Sequence, residues 1–321
     1  MQNKRLPVPT ILSTPLPLRY AHFGLTLALT LLMMMCHAAK AQPAPGTLEA
    51  ASRTLSPGSL DRYITPFAPL KFATEVKTLG LFSSLGNAVF KPNDTMGPFP
   101  AIVVTHSCGG VDTLALRERM KELLEAGYLV LMLDSFEPRG QKDCRNGVVL
   151  NPLVWRDTID ALAHLHTFAE VDKSRIYQVG YSMGAFTAAV VASPSVMSYF
   201  GSVHRFRASV GWYGSCGFQA GPTAPPSSFL RFDTDRPVLM LMAEADRETP
   251  IKPFCYPLLE ALKTAGKPVE WYVYGAGTAH AWDVRSGYTI VNGFGETVVN
   301  RYDAEATKDA TRRTLEFLRR D

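Results

Sequence analysis

No two cysteines in these 321 residues stand in C-x-x-C spacing, which removes the common signatures of a structural zinc site and of a dithiol redox centre. No apolar run reaches the ~20 residues that a membrane-spanning helix needs; the 14 residues 23–36 fall short of it. Neither an internal repeat nor a charged low-complexity tract is present. A basic block is missing too: four of the 33 Lys and Arg residues and none of the 29 acidic ones lie in residues 1–41, so the remainder is formally neutral. That balance speaks against nucleic acid or an anionic membrane surface as a partner.

What stands at the front has the layout of an export signal. Lys4, Arg5 and Arg19 precede the apolar run 23–36, and Ala39-Lys40-Ala41 forms a small-x-small cleavage pattern before Gln42. The expectation is a signal peptide over 1–41, a periplasmic or secreted mature chain, and no membrane association once the signal is removed. A signal kept as an anchor is the alternative. Of the five cysteines, Cys36 would leave with the leader, and Cys108, Cys144, Cys216 and Cys255 would remain. An even number in an exported chain allows two disulfides, and four cysteines permit three connectivities.

Residues 42–70 are rich in Pro, Ser and Ala and read as a poorly ordered lead-in, with a single domain over 71–321. From Phe72, extended segments broken at Gly80 and Gly86 suggest a hairpin or meander. Six apolar runs follow, at 101–106, 128–134, 176–182, 208–214, 237–246 and 269–277; they have the uninterrupted character of strands covered on both faces. Helical spacing fills 113–126, 152–169, 183–193, 253–265 and 304–320. Strand and helix alternating this often specify an α/β fold: a mostly parallel central sheet with helices on both faces.

Gly180-Tyr181-Ser182-Met183-Gly184 matches G-x-S-x-G between a strand and a small-residue helix, the context a nucleophile elbow requires. A serine hydroxyl needs a base, and in this fold class the acid and the histidine follow the serine in that order. Asp246 ends the fifth run and His280 follows the sixth, both at carboxyl ends of strands, the rim where open α/β sheets place ligands. His280 is therefore the expected proton carrier and Asp246 its orienting acid, with Glu244 the alternative acid. The Gly-rich loop His106-Ser107-Cys108-Gly109-Gly110 is the expected source of an oxyanion donor, the amide of Cys108 or its neighbour Ser107, acting with that of Met183. His106 reads as a brace for that loop.

Together the stretches "PFPAIVVTHSCGG", "AGYLVLMLDSFEPRG", "VGYSMGAF", "MAEADRETP", "GTAHAWD" and "RYDAEATKDATRRTLEFL" make the chain resemble the dienelactone hydrolase family of α/β-hydrolases from about Phe72 onward. The resemblance implies the α/β-hydrolase fold, a Ser or Cys nucleophile with Asp and His, small ester or lactone substrates, and no cofactor; no metal site is expected either, from the cysteine spacing. Serine at the elbow, in place of the cysteine of the enzymes that name the family, moves the expectation toward a general carboxylesterase. A hydrolase fold kept for binding without turnover is the alternative function.

Arg139 is a candidate partner for a substrate carboxylate, or else for Asp134 or a loop carbonyl. Phe136, Trp212, Tyr213, Tyr256 and Trp282 are candidate pocket walls, and 216–230 a candidate flap. All four remaining cysteines follow strands on the same rim, where joining Cys108 to Cys144 and Cys216 to Cys255 would tie adjacent loops together. The oligomeric state has no signature here.

Overall fold

The computed structural model describes residues 58–320 apart from 94–95, 146, 219–226, 253 and 293–294. The export-signal expectation and most of the expected flap lie outside the described residues. In chain order the strands are β1 (Val76–Lys77), β2 (Ala88–Phe90), β3 (Phe99–Thr105), β4 (Leu129–Leu133), β5 (Val171–Tyr181), β6 (Ser209–Trp212), β7 (Gly217–Phe218), β8 (Ser227–Ser228), β9 (Val238–Ala243), β10 (Val269–Tyr274), β11 (Tyr288–Val291) and β12 (Thr297–Asn300). The helices are α1 (Asp61–Ile64), α2 (Leu114–Glu125), α3 (Asn151–Leu165), α4 (Met183–Val190), α5 (Pro194–Tyr199), α6 (Tyr256–Thr264) and α7 (Ala304–Arg320).

Eight strands form one sheet in the order β1-β2-β4-β3-β5-β6-β9-β10. From β4 to β10 every neighbour is parallel, and the β2–β4 pairing is antiparallel. Burial on both faces explains the unbroken apolar runs. Along β4, Leu129, Leu131 and Leu133 face one cluster while Val130 and Met132 face the other; β9 divides its residues in the same way. Helices α3, α4 and α6 cover the first face, and α2 and α7 the second. The mostly parallel sheet with helices on both faces is the α/β-hydrolase arrangement.

One local expectation is corrected. Residues 72–92 form no hairpin, because β1 and β2 pair in parallel, Val76 opposite Val89. The intervening loop is held down by Arg117, which donates to the carbonyls of Gly80 and Ser83, and Asn87 exchanges two hydrogen bonds of 2.9 Å with the Asp134 backbone. Of the expected lead-in, residues 42–57 lie outside the described residues; within 58–70, Tyr199 binds Asp61, Arg156 binds the carbonyls of Phe67 and Ala68, and Phe67 and Leu70 pack against the core. Among the described residues no helix is long and apolar enough to cross a membrane.

Candidate active site

At the end of β5 the chain must reverse into α4 within one residue, and that residue is Ser182, with φ 52° and ψ −109°. Positive φ in a residue with a Cβ is costly and needs support from its surroundings. The Ser182 amide donates to the Trp212 carbonyl at 2.9 Å, and its carbonyl accepts from Ala185 at 2.8 Å. The flanking glycines make the turn possible. A Cβ on Gly180 would collide with the Gly184 carbonyl, and one on Gly184 with the Thr105 carbonyl of β3. Strand and helix thus approach at backbone contact, lifting the serine hydroxyl above the sheet's carboxyl edge.

Three loops converge on it. His280 Nε2 lies 2.9 Å from Ser182 Oγ, and His280 Nδ1 lies 2.7 Å from Asp246 Oδ2. Asp246 is in turn held by the amides of Glu248 at 2.9 Å and Thr249 at 2.8 Å, with the Thr249 hydroxyl at 2.7 Å. His280 and Asp246 are buried, whereas Ser182 is partly open to the cleft. Burial works against the charged form of both partners. For His280 that penalty is outweighed by the Asp246 charge and hydrogen bond, which hold the imidazole above its usual pKa. For Asp246 it is outweighed by His280 and the Thr249 donors, which keep the carboxyl below its usual range. The arrangement can accept the Ser182 proton at Nε2 while Nδ1 stays oriented by the carboxylate.

The loop 106–110 faces the hydroxyl from the other side. Ser107 is paired with Gly110 across a tight turn, while the Cys108 and Met183 amides have no acceptor among the described residues. His106 braces this loop: its ring contacts the Ser107 carbonyl at 2.7 Å through Nδ1 and accepts the Ser135 amide at 3.1 Å through Nε2. Burial lowers its pKa and keeps that ring neutral. Cys108 is joined to Cys144, whose amide also donates to the Cys108 carbonyl at 3.1 Å, and Cys216 is joined to Cys255.

Other expected contacts fall elsewhere. The Arg139 side chain is buried and spends its guanidinium on both oxygens of Asp157, at 2.8 and 2.9 Å, and on the Ser135 carbonyl, so it does not reach the cleft. Phe136 packs on the His106 ring beneath the loop. Trp212 and Trp282 stack on each other in the core, with Trp212 Nε1 donating to Thr314. Tyr256 opens α6 and packs against the core. Of the expected aromatics, Tyr213 alone lines the cleft; it meets His280 edge-on at 5.1 Å and donates its hydroxyl to Asp283 at 2.9 Å. Glu244, the alternative acid, is exposed and pairs with Lys252.

The cleft itself holds about 630 Å³ between Ser182 and His280 on one side and Leu116, Val284 and β11 on another. Reading the chain did not find Thr249, Glu248 or β11. Thr249 had a local signal, three residues past Asp246, the spacing at which a threonine can cap a carboxylate turn.

A model of the dienelactone hydrolase family matches residues 85–321. The chain belongs to this family. Solved structures of similar fold include the esterase Est2 of the planctomycete Thermogutta terrifontis with butyrate bound, at 16% identity over 72% of this chain and 87% of that one, with a TM-score of 0.53. Another is P91 from metagenomic libraries, described as a dienelactone hydrolase-like promiscuous phosphotriesterase, at 17% identity over 71% and 89%, with a TM-score of 0.50. At those identities the likeness is one of fold. Among curated proteins, YtaP of Bacillus subtilis (strain 168), provisionally named a hydrolase, is 29% identical over 120 residues. That match spans 30% of this chain and 40% of YtaP.

Proposed function

We propose that this family member is an exported serine hydrolase that cleaves small carboxylic esters or lactones without a cofactor. The observation that carries the reading is the unbroken chain from Ser182 Oγ through His280 to Asp246, on the rim loops that follow β5, β10 and β9. In the proposed reaction His280 takes the Ser182 proton as Oγ attacks the substrate carbonyl, and the oxyanion is met by the amides of Cys108 and Met183. Collapse of that intermediate expels the alcohol, which receives the proton from His280, and leaves an acyl-serine. Water, deprotonated by the same imidazole, then releases the acid and restores the serine. The two disulfides and the leader pattern support export, since such bonds persist in oxidising compartments.

The test is labelling by a fluorophosphonate probe, comparing the mature protein with Ser182→Ala. We expect labelling and hydrolysis of p-nitrophenyl acetate in the first and neither in the second. A well-folded wild type that neither labels nor turns over would overturn the reading.

A further inference from the structure

The β11–β12 hairpin lies outside the central sheet, as a separate two-stranded pair. Such a pair is marginal alone in water, so its position depends on what anchors it. The anchors run to the loop that carries Asp246. The Glu248 carboxylate accepts from the Tyr288 hydroxyl at 2.8 Å and from Asn300 Nδ2. Asn292 donates to the Arg247 carbonyl at 2.8 Å, and Arg247 pairs with Glu296 at 2.7 Å. Glu248 also holds the acid, because its amide donates to Asp246 Oδ1 at 2.9 Å. One residue therefore fixes the hairpin with its side chain and the acid with its backbone.

The hairpin in turn walls the cleft. Tyr288 to Val291 line it with Ser182 and His280, facing Leu116 from α2 and Val284. Within β11, Tyr288 and Ile290 are the half-buried pair and Thr289 and Val291 the exposed one, so Ile290 faces the body of the molecule. Of the charged residues in the lining, Glu248 is spent on the hairpin. Arg145 stands at the mouth, its side chain 82% exposed and 3.4 Å from Asp143. What remains for a group extending from Ser182 is an apolar wall in a volume well beyond an acetyl group's needs.

Building on the serine hydrolase reading, we propose that the hairpin receives an uncharged apolar chain of the substrate, with Ile290 setting the chain length accepted and Glu248 acting as the positioning residue that locks this wall. The substrate class is esters bearing a linear apolar chain of several carbons, in preference to acetyl or charged esters. Each methylene buried there adds roughly fourfold to kcat/KM, the factor that follows from the transfer of a CH₂ group out of water.

The experiment is a series of p-nitrophenyl esters from acetate to octanoate, measured with wild type, Ile290→Trp, Ile290→Ala, Glu248→Ala and Glu248→Gln. We expect kcat/KM to climb from acetate to hexanoate in the wild type. Ile290→Trp should cost at least tenfold more on hexanoate than on acetate, and Ile290→Ala should move the optimum to longer chains. Glu248→Ala should flatten the chain-length dependence, and Glu248→Gln, which keeps an acceptor for Tyr288, should restore it. Acetate turnover with no dependence on chain length, or unchanged profiles in the Ile290 variants, would sink the hairpin proposal and leave the serine hydrolase reading intact. Absence of turnover on every ester, with no probe labelling, would remove that reading as well.

Discussion

Asp246, 2.7 Å from His280 Nδ1, more than offsets the burial that disfavours the imidazolium, so the proposed general base His280 holds its proton to higher pH than an ordinary histidine. The sign of the consequence follows from the role. A general base acts unprotonated, so kcat/KM should be low in acid and rise as pH passes through the raised His280 value, with its midpoint above that of an ordinary histidine. Asp246 titrates below the usual carboxylate range and stays ionised throughout that rise. Asp246→Asn removes the charge that raises His280. The midpoint should move down, and kcat should fall by about 10³–10⁴-fold through loss of the oriented tautomer. A pH–rate profile of both proteins checks this; an unshifted midpoint in the variant would show that another group controls the titration.

The elbow connecting β5 to α4 is the element on which the site stands, and its tolerance is set by backbone contact. Gly184→Ala would drive a methyl group into the Thr105 carbonyl, where neither β3 nor α4 has a flexible side chain to yield. The expected cost is about 2–3 kcal/mol of stability, read as a lowered urea midpoint, with activity lost beyond what unfolding explains because Ser182 moves. The elbow was legible in the chain because its requirements are local: a strand, the glycines Gly180 and Gly184 two positions either side of the serine, and a small-residue helix. Asp246 and His280 were legible for a related reason, since each ends or follows a strand whose apolar run marks the sheet edge. Arg139 was not. Its choice of Asp157 depends on how α3 packs beside the short turn Glu137–Arg139, and spacing in the chain carries no trace of that. The hairpin was hidden likewise, because its strands are four residues long and its anchors, Glu248 and Arg247, lie about 40 residues or more away in the chain.

Across the whole molecule, the two disulfides bind loops on the rim where Ser182, Asp246 and His280 gather, and they differ in exposure. Cys216 and Cys255 are fully buried, whereas Cys108 lines the cleft. Closing loops of 36 and 39 residues, each bond constrains the unfolded chain by about 4 kcal/mol in the chain-entropy model. A thiol reductant acting on the native protein should therefore open Cys108–Cys144 first and reach Cys216–Cys255 only as the molecule unfolds. The first step should lower Tm by about 10 °C. It should also lower kcat by roughly tenfold, because the loop proposed to present the Cys108 amide to the oxyanion loses one of its clamps, while His106 still braces the other side. Timed thiol counting alongside turnover and melting curves separates the two events. Loss of both bonds in a single step, or full activity after the first, would show that the rim holds its geometry without the Cys108–Cys144 link.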